Sequence, residues 1–253
     1  MRTPFVALVA IVMTLILGPA VVIARLFRAP QGPTSFYTRC IRLWARSISW
    51  AAGVRVRVHG VEHIEGLHGA VFIANHVSWF DIAALASEVP WCSFIAKSEL
   101  RRVPLFGFAA ECVGIVFLDR DNRKQAFESY KMAAKEVRRG RSIVVCPEGT
   151  RGLDYHLRPF KKGPFVLAIA SQTPIIPTIV FGAREVMPKG SFLVRSGTID
   201  LHFLPPVETK GYDYEHRGML MTTVWTNMAD AMQSLYGIGT SESSIATAGE
   251  RLE

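Results

Sequence analysis

The chain has few cysteines, and they are not placed to bind a metal. Among 253 residues there are 4 cysteines and 7 histidines. The cysteines are widely spaced, form no C-x-x-C pair and have no histidine cluster beside them, at positions Cys40, Cys92, Cys112 and Cys146. The common zinc-binding motifs are therefore excluded, and we expect no bound metal. We interpret the cysteines as reduced, mostly buried thiols, which favours a cytosolic catalytic face over an oxidising compartment.

Three further absences narrow the function. The sequence contains no G-x-S-x-G motif, so nothing indicates a serine nucleophile on a strand-to-helix turn. It contains no internal repeat and no long linker, which predicts a single catalytic unit. Lys and Arg exceed Asp and Glu by 29 to 21, giving a net charge of +8, but the positive charge clusters beside apolar segments rather than in an extended basic tract. A nucleic acid partner is therefore disfavoured relative to an anionic membrane or a phosphorylated small molecule.

The amino-terminal segment is apolar enough to enter a membrane. No charged residue occurs between Pro4 and Ala24, and about 20 apolar residues suffice for a helix to cross a bilayer core. We expect a retained anchor rather than a cleaved signal peptide. A Gly18-Pro19 pair leaves open a half-inserted hairpin instead of a straight span. The positive-inside rule places the rest of the chain on the cytoplasmic face of the inner (cell) membrane, since several arginines follow the segment: Arg25, Arg28, Arg39, Arg42 and Arg46.

The remaining sequence divides into three parts. A second helical pattern from Ser35 to Ala52 places Trp44 and Trp50 among arginines, which favours an interfacial amphipathic helix over an ordinary surface helix. We therefore predict membrane-anchoring helices in residues 1–52. We predict an α/β domain over residues 53–239 and a flexible tail over 240–253, which is rich in Ser, Thr, Ala and Glu.

The predicted domain alternates short β-rich runs with helical ones. Such alternation predicts an α/β fold with a mixed, partly parallel sheet flanked by helices. A Ser196-Gly197 turn signal predicts a hairpin at a sheet edge, and Pro177 indicates an edge strand or a bulge. The predicted strands cover 54–58, 70–74, 93–96, 113–118, 142–146, 175–181, 191–195 and 198–204, and the predicted helices include 123–139 and 217–236.

A histidine and an aspartate five residues apart follow the apolar run 70–74. His76 sits at a predicted strand end, where α/β domains place ligand-contacting groups. Asp81 can reach His76 only if a turn precedes the next helix, and Asn75 and Ser78 supply the chemistry for one. The carboxylate would fix the imidazole tautomer while the other ring nitrogen takes a proton from a substrate hydroxyl. Taken alone, the pair fits a helix-capping network equally well.

Two more strand ends deliver arginines. One is the segment 114–120, which ends in Asp119-Arg120, and the other is 147–151, which ends in Thr150-Arg151. A guanidinium binds phosphate in a bidentate manner, and Gly149 would allow backbone amides to approach an anion. For either arginine by itself, a plain surface charge or a partner of Asp119 or Glu148 is the favoured interpretation.

Taken in order, these segments and the Pro177 strand resemble the four motif blocks of the glycerolipid acyltransferase family, with the best match to bacterial 1-acyl-sn-glycerol-3-phosphate acyltransferases. The resemblance covers about residues 53–210. It implies that His76 and Asp81 are catalytic. It also implies contacts to the glycerol phosphate of the acceptor from the second and third blocks: Gly114, Phe117, Arg120, Glu148, Gly149, Thr150 and Arg151.

The resemblance further implies the substrates and partners. These are lysophosphatidate, an acyl-CoA or acyl-carrier-protein donor, and a membrane phospholipid bilayer. No other cofactor is expected, because thiolate is a good leaving group. The sequence departs from the family at Cys146, where Phe is more usual, and at Gly152, where Ser is usual.

Two alternatives remain open at this point. In the first, the chain is an acyltransferase for another lysolipid, such as lyso-ornithine lipid. An acceptor without a phosphate would leave the two arginines less to do. In the second, the chain would be a non-catalytic membrane protein that binds anionic lipid if His76 and Asp81 did not lie within hydrogen-bond reach in a cleft.

Overall fold

The structure is a computed structural model that describes residues 2–119 and 122–239. The predictions for Arg120 and for the tail 240–253 lie outside the described residues. The described helices are α1 (Thr3–Leu26), α2 (Phe36–Ala52), α3 (Phe80–Glu88), α4 (Phe106–Cys112), α5 (Arg123–Arg138), α6 (Gly163–Ser171), α7 (Ala183–Val186) and α8 (Arg217–Tyr236). Short 3-10 helices cover Val61–His63 and Ser98–Arg102.

The strands form one seven-stranded mixed sheet. They are β1 (Val54–His59), β2 (Val71–Ala74), β3 (Cys92–Lys97), β4 (Val116–Leu118), β5 (Ser142–Val145), β6 (Ile175–Phe181) and β7 (Gly197–Phe203). The order across the sheet is β1-β7-β6-β2-β5-β3-β4. Strands β2 to β6 run parallel, whereas β7 is antiparallel to β6 and pairs in parallel with β1. The predicted α/β fold with a partly parallel sheet is confirmed.

Helices cover both faces of the sheet because successive side chains of a strand point in opposite directions. Phe72 of β2 belongs to a core that includes residues of α2 and α3. Val71 and Ile73 of the same strand belong to a second core with residues of α5, α6 and α8. The unbroken burial of β2 therefore fits a central strand between two helical layers.

Helices α1 and α2 pack against each other in opposite directions. The Phe5 ring lies 5.8 Å from the Trp50 ring, and the Trp44 Nε1–H donates to Thr14 Oγ1 at 3.0 Å. Helix α1 continues through Pro19 and is long and apolar enough to cross a membrane, by length and composition alone. Large apolar side chains stay exposed along both helices, including Leu8, Ile11, Leu15, Ile16, Phe36, Leu43 and Trp50. The division at residue 52 stays a prediction.

The predicted hairpin is wrong, and so is one of the two alternatives predicted for Pro177. Residues 191–196 form no strand, because their backbone is used elsewhere: Val194 N–H donates to Thr3 Oγ1 and Arg195 N–H donates to Val186 O, both at 2.9 Å. Strand β7 therefore pairs with β6 and β1 instead of a hairpin partner. Pro177 does not lie at an edge, since β6 sits between β2 and β7. The bulge alternative fits the pairing, which shifts by one residue between Thr178–Phe203 and Ile175–Val207. The Pro177 carbonyl accepts the Leu204 N–H at 2.9 Å, so the side of Pro177 that lacks an N–H faces the stretch 204–207, which contains Pro205 and Pro206.

Candidate active site

The centre of the candidate site is the loop that joins β2 to α3. Helix α3 begins at Phe80, so His76 lies in the preceding turn and Asp81 in the first helical turn. The His76 Nδ1 and Asp81 Oδ2 atoms are 2.7 Å apart, which confirms that a turn brings the two side chains together. The Asp81 side chain is fully buried, whereas the His76 side chain is 17% exposed. The imidazole can therefore be reached from outside while its carboxylate partner cannot.

A single oxygen of Asp81 orders the whole loop. Besides His76, Asp81 Oδ2 accepts the backbone N–H groups of Val77 at 2.7 Å and Ser78 at 2.8 Å. The other oxygen, Oδ1, is buried and has no hydrogen-bond partner among the described residues. Because the carboxylate accepts, His76 Nδ1 carries the proton and Nε2 is left as the basic nitrogen.

The loop is also tied to neighbouring strands. The Asn75 side chain bonds the Val180 backbone twice: its Nδ2–H donates to Val180 O at 3.0 Å, and its Oδ1 accepts from Val180 N at 2.7 Å. Ser78 Oγ donates to Met187 O at 2.8 Å. These bonds hold the His76 loop against the ends of β6 and α7.

The loop after β5 clamps the backbone of His76 from the other side. Glu148 Oε1 accepts the His76 N–H at 3.0 Å, and the Gly152 N–H donates to His76 O at 2.7 Å. Arg158 Nε–H donates to Glu148 Oε2 at 3.0 Å, and the Arg158 guanidinium also bonds Thr150 O. The N–H of His76 is thus held by Glu148 of the third motif block, and its C=O is held by Gly152, which follows that block.

Two cations flank this clamp. The Arg151 guanidinium lies 5.1 Å from the centre of the Trp79 ring. The Lys161 side chain crosses the Gly149 turn so closely that a Cβ at Gly149, where φ is +77°, would lie 2.8 Å from Lys161 Cε. Arg151 and Lys161 therefore place positive charge against the two loops that form the clamp, where an anionic substrate would be attracted.

The second motif block lies further away. Phe117 belongs to β4, three strands from β2, which is about 14 Å at the usual strand spacing. Gly114 precedes β4, at the opposite end of that strand from Asp119. Its φ is +94°, and a Cβ there would collide with the buried Arg141 guanidinium, so the backbone itself requires glycine. Arg120 lies outside the described residues.

Sequence reasoning missed Arg158 and Trp79. No motif signals Arg158, because its two partners, Glu148 and Thr150, lie in a different turn of the same loop. Trp79 sits inside the first block, but only the structure shows the stacked guanidinium. In the described part of the chain, no group of three or more His, Cys, Asp or Glu side chains is arranged to hold a metal ion.

The departure at Gly152 leads to a first prediction. A Cβ at Gly152 would lie 2.9 Å from the backbone oxygen of Asp154, so Gly152→Ser should force the loop to move. We expect a loss of about 1–3 kcal/mol of unfolding free energy and a lower kcat, because the same residue holds His76 O. Urea unfolding and steady-state kinetics measure both. Gly32→Ser is the matched control, since nothing lies within 4 Å of a Cβ there; equal stability of the two variants would contradict the packing argument.

The fold and the site define a class before any comparison. A parallel-strand edge that presents a partly exposed histidine on a buried carboxylate, with arginine and lysine nearby, is typical of general acid–base sites that take an anionic substrate. The hydrogen bond between His76 and Asp81 counts against the non-catalytic alternative, for which we expected the two side chains to lie apart.

Comparison with known proteins identifies the family. The family model described as Acyltransferase matches residues 55–180. A 1-acyl-sn-glycerol-3-phosphate acyltransferase of Limnanthes douglasii is 35% identical over 168 residues, which are 64% of this chain and 58% of that protein. The human 1-acyl-sn-glycerol-3-phosphate acyltransferase alpha is 31% identical over 179 residues, 68% of this chain and 62% of that protein. The chain thus spans less than two thirds of these relatives.

A solved structure agrees over nearly the full length. The crystal structure of the 1-acyl-sn-glycerophosphate acyltransferase PlsC from Thermotoga maritima matches with a TM-score of 0.78 and 25% identity, over 95% of this chain and 97% of that one. Residues 55–180 of the chain therefore form a domain of the acyltransferase family.

Proposed function

We propose that this protein transfers a fatty acyl group from an acyl thioester to the free hydroxyl of 1-acyl-sn-glycerol 3-phosphate, giving phosphatidic acid. The observation that carries the proposal is the 2.7 Å bond from His76 Nδ1 to the buried Asp81 carboxylate. It leaves Nε2 as a base next to a cationic loop. The names of the relatives and of the Thermotoga structure support this acceptor over a phosphate-free one.

The reaction then proceeds by general-base catalysis. His76 Nε2 takes the proton of the acceptor hydroxyl as its oxygen attacks the thioester carbonyl. The tetrahedral intermediate collapses with cleavage of the C–S bond, and the leaving thiolate receives the proton from the imidazolium. The buried Asp81 carboxylate stabilises the imidazolium in between.

The developing oxyanion needs hydrogen-bond donors. The amides of Val77 and Ser78, which follow His76, already donate to Asp81, and that of Gly149 donates to Cys146 O. We therefore assign the oxyanion contact to the amides of Thr150 and Arg151, for which the described residues provide no acceptor.

Arg151 is assigned to the acceptor phosphate. Its guanidinium lies over the ring of Trp79, which belongs to the His76 loop, and charge-assisted bonds to phosphate are strong. Arg151→Ala should raise the KM for lysophosphatidate about 10- to 100-fold with a smaller change in kcat. It should leave the KM for monoacylglycerol, which has no phosphate, unchanged.

Kinetics with both acceptors in detergent test this assignment. Arg139→Ala serves as the control, because Arg139 is an exposed arginine paired with Glu136 on α5. An Arg151→Ala enzyme whose KM rises for the acyl donor alone would rule out the phosphate contact. An unmodified enzyme that prefers lyso-ornithine lipid or monoacylglycerol to lysophosphatidate would rule out the proposed acceptor.

The membrane supplies the lysophosphatidate acceptor. We assign α1 and α2 to a phospholipid bilayer through their exposed apolar side chains, and the catalytic domain to the cytoplasmic face of the cell membrane. Arginines after the apolar segment support that side, because cytoplasmic flanks are enriched in Lys and Arg. The donor is acyl-CoA or acyl-carrier protein, and no further cofactor enters the proposed reaction.

A further inference from the structure

The Glu148 side chain connects two loops of the candidate site. Its Oε1 accepts the His76 N–H and its Oε2 accepts the Arg158 Nε–H, each at 3.0 Å. The side chain is only 2% exposed. Both carboxylate oxygens are therefore engaged inside the protein, on the catalytic loop at one end and on an arginine at the other.

Arg158 in turn spans the third motif block. The same guanidinium that bonds Glu148 also bonds the carbonyl of Thr150, two residues further along the chain. Its side chain is 37% exposed, so it closes the block from the solvent side. A planar guanidinium can hold a carboxylate and a carbonyl at once, which a lysine ammonium does with less geometric control.

We propose that Arg158 is a positioning residue: by holding Glu148, it fixes the backbone N–H of His76 and with it the place of the imidazole relative to the acceptor hydroxyl. This proposal rests on the proposed function. It gives Glu148 a positioning role in place of the acceptor contact that the family resemblance implies, and it assigns a role to a residue outside the four motif blocks.

The electrostatics of the clamp agree with its geometry. Burial raises the pKa of the Glu148 carboxyl above its usual value, and the hydrogen bond from Arg158 is the largest effect that opposes this rise. The His76 N–H and the charge of His76 act in the same direction as Arg158. Without Arg158 the carboxyl would take up a proton at higher pH, and a neutral carboxyl accepts the His76 N–H less strongly.

The first test replaces Arg158 alone. R158M should lower kcat about 10- to 100-fold, because small displacements of a catalytic group have effects of this size, while the KM for lysophosphatidate changes less than about 3-fold. R158K should give an intermediate kcat. The acid limb of the R158M pH–rate profile should move to higher pH, since kcat falls as Glu148 becomes protonated.

A double-mutant cycle isolates the route through Glu148. In E148Q the clamp is already broken, so adding R158M should change kcat less than about 3-fold. The acid limb of E148Q/R158M should coincide with that of E148Q, because residue 148 no longer titrates. Neither E148Q nor E148Q/R158M contains an unpaired buried carboxylate at position 148. These two variants can therefore be compared even if R158M alone fails to fold.

Arg57→Met is the matched control. It removes an arginine that pairs with Asp200 through Nε at 2.8 Å on strand β1, three strands from β2, and should leave kcat unchanged. If the wild-type enzyme is active and R158M keeps the wild-type kcat, the positioning role is overturned but the proposed function is not. The same conclusion follows if R158M raises the KM for the acceptor by the same factor whether residue 148 is Glu or Gln. A wild-type chain that transfers no acyl group to any lysolipid would overturn the proposed function and the positioning role together.

Discussion

Replacing His76 with alanine should lower kcat by about 10³- to 10⁴-fold. The imidazole is the only base that the proposed mechanism uses to deprotonate the acceptor hydroxyl, and alanine leaves no group to take its place. Folding should be nearly unchanged, because the His76 side chain contributes one hydrogen bond while its backbone keeps the bonds to Glu148 and Gly152. Turnover in detergent and thermal unfolding measure the two quantities.

The chain offers a matched control for this experiment. His216 Nδ1 lies 2.8 Å from Asp213 Oδ1, and the same oxygen accepts the backbone N–H groups of Glu215 and His216. This reproduces the bonding of Asp81 at an exposed position before α8. His216→Ala should therefore retain full kcat. Substantial residual acyl transfer by His76→Ala, or an equal loss in His216→Ala, would contradict the general-base role.

Replacing Asp81 with asparagine should lower kcat about 10²- to 10⁴-fold with little change in either KM. The asparagine amide can place its oxygen where Asp81 Oδ2 accepts three N–H groups, and its nitrogen where Oδ1 has no described partner. The loop should therefore keep its shape. A neutral side chain, however, no longer stabilises the imidazolium that forms when the hydroxyl is deprotonated.

Steady-state kinetics and thermal unfolding of Asp81→Asn test this expectation. Asp213→Asn is the control, because the exposed Asp213 carboxylate accepts the same kinds of hydrogen bond from His216 and two backbone N–H groups. We expect a large fall in kcat in the first variant and none in the second. An Asp81→Asn enzyme with wild-type kcat would show that the carboxylate serves only to cap the loop, which is the alternative that the sequence left open.

The structural elements that the sequence predicted correctly are those that depend on residues close together in the chain. Asn122 caps α5 by accepting from Gln125 N at 3.0 Å, as its position before an amphipathic run indicates. Helix α8 spans the predicted 217–236, and the strand that precedes His76 is buried along its whole length. The meeting of His76 and Asp81 also followed from local geometry, because a turn before a helix start was the one arrangement that allowed it.

The features that the sequence did not predict depend on contacts between distant segments. Ser196-Gly197 has the chemistry of a hairpin turn, but Val194 is bound by Thr3, which is far away in the sequence. Gly114 was assigned to the acceptor from its block, yet its left-handed backbone and the close approach of Arg141 explain the glycine without a ligand. The contact from Arg158 to Glu148 bridges two turns of one loop, and no spacing rule predicts such a pair.

The most direct measurement of the proposed function is product analysis by mass spectrometry. Purified protein in detergent is incubated with lysophosphatidate and a labelled acyl-CoA, and in parallel with a labelled acyl-carrier protein. We expect labelled phosphatidic acid from the wild-type chain with at least one donor, and about 10³-fold less from His76→Ala. Absence of phosphatidic acid with both donors, while another lysolipid is acylated, would contradict the proposed acceptor and the phosphate role of Arg151.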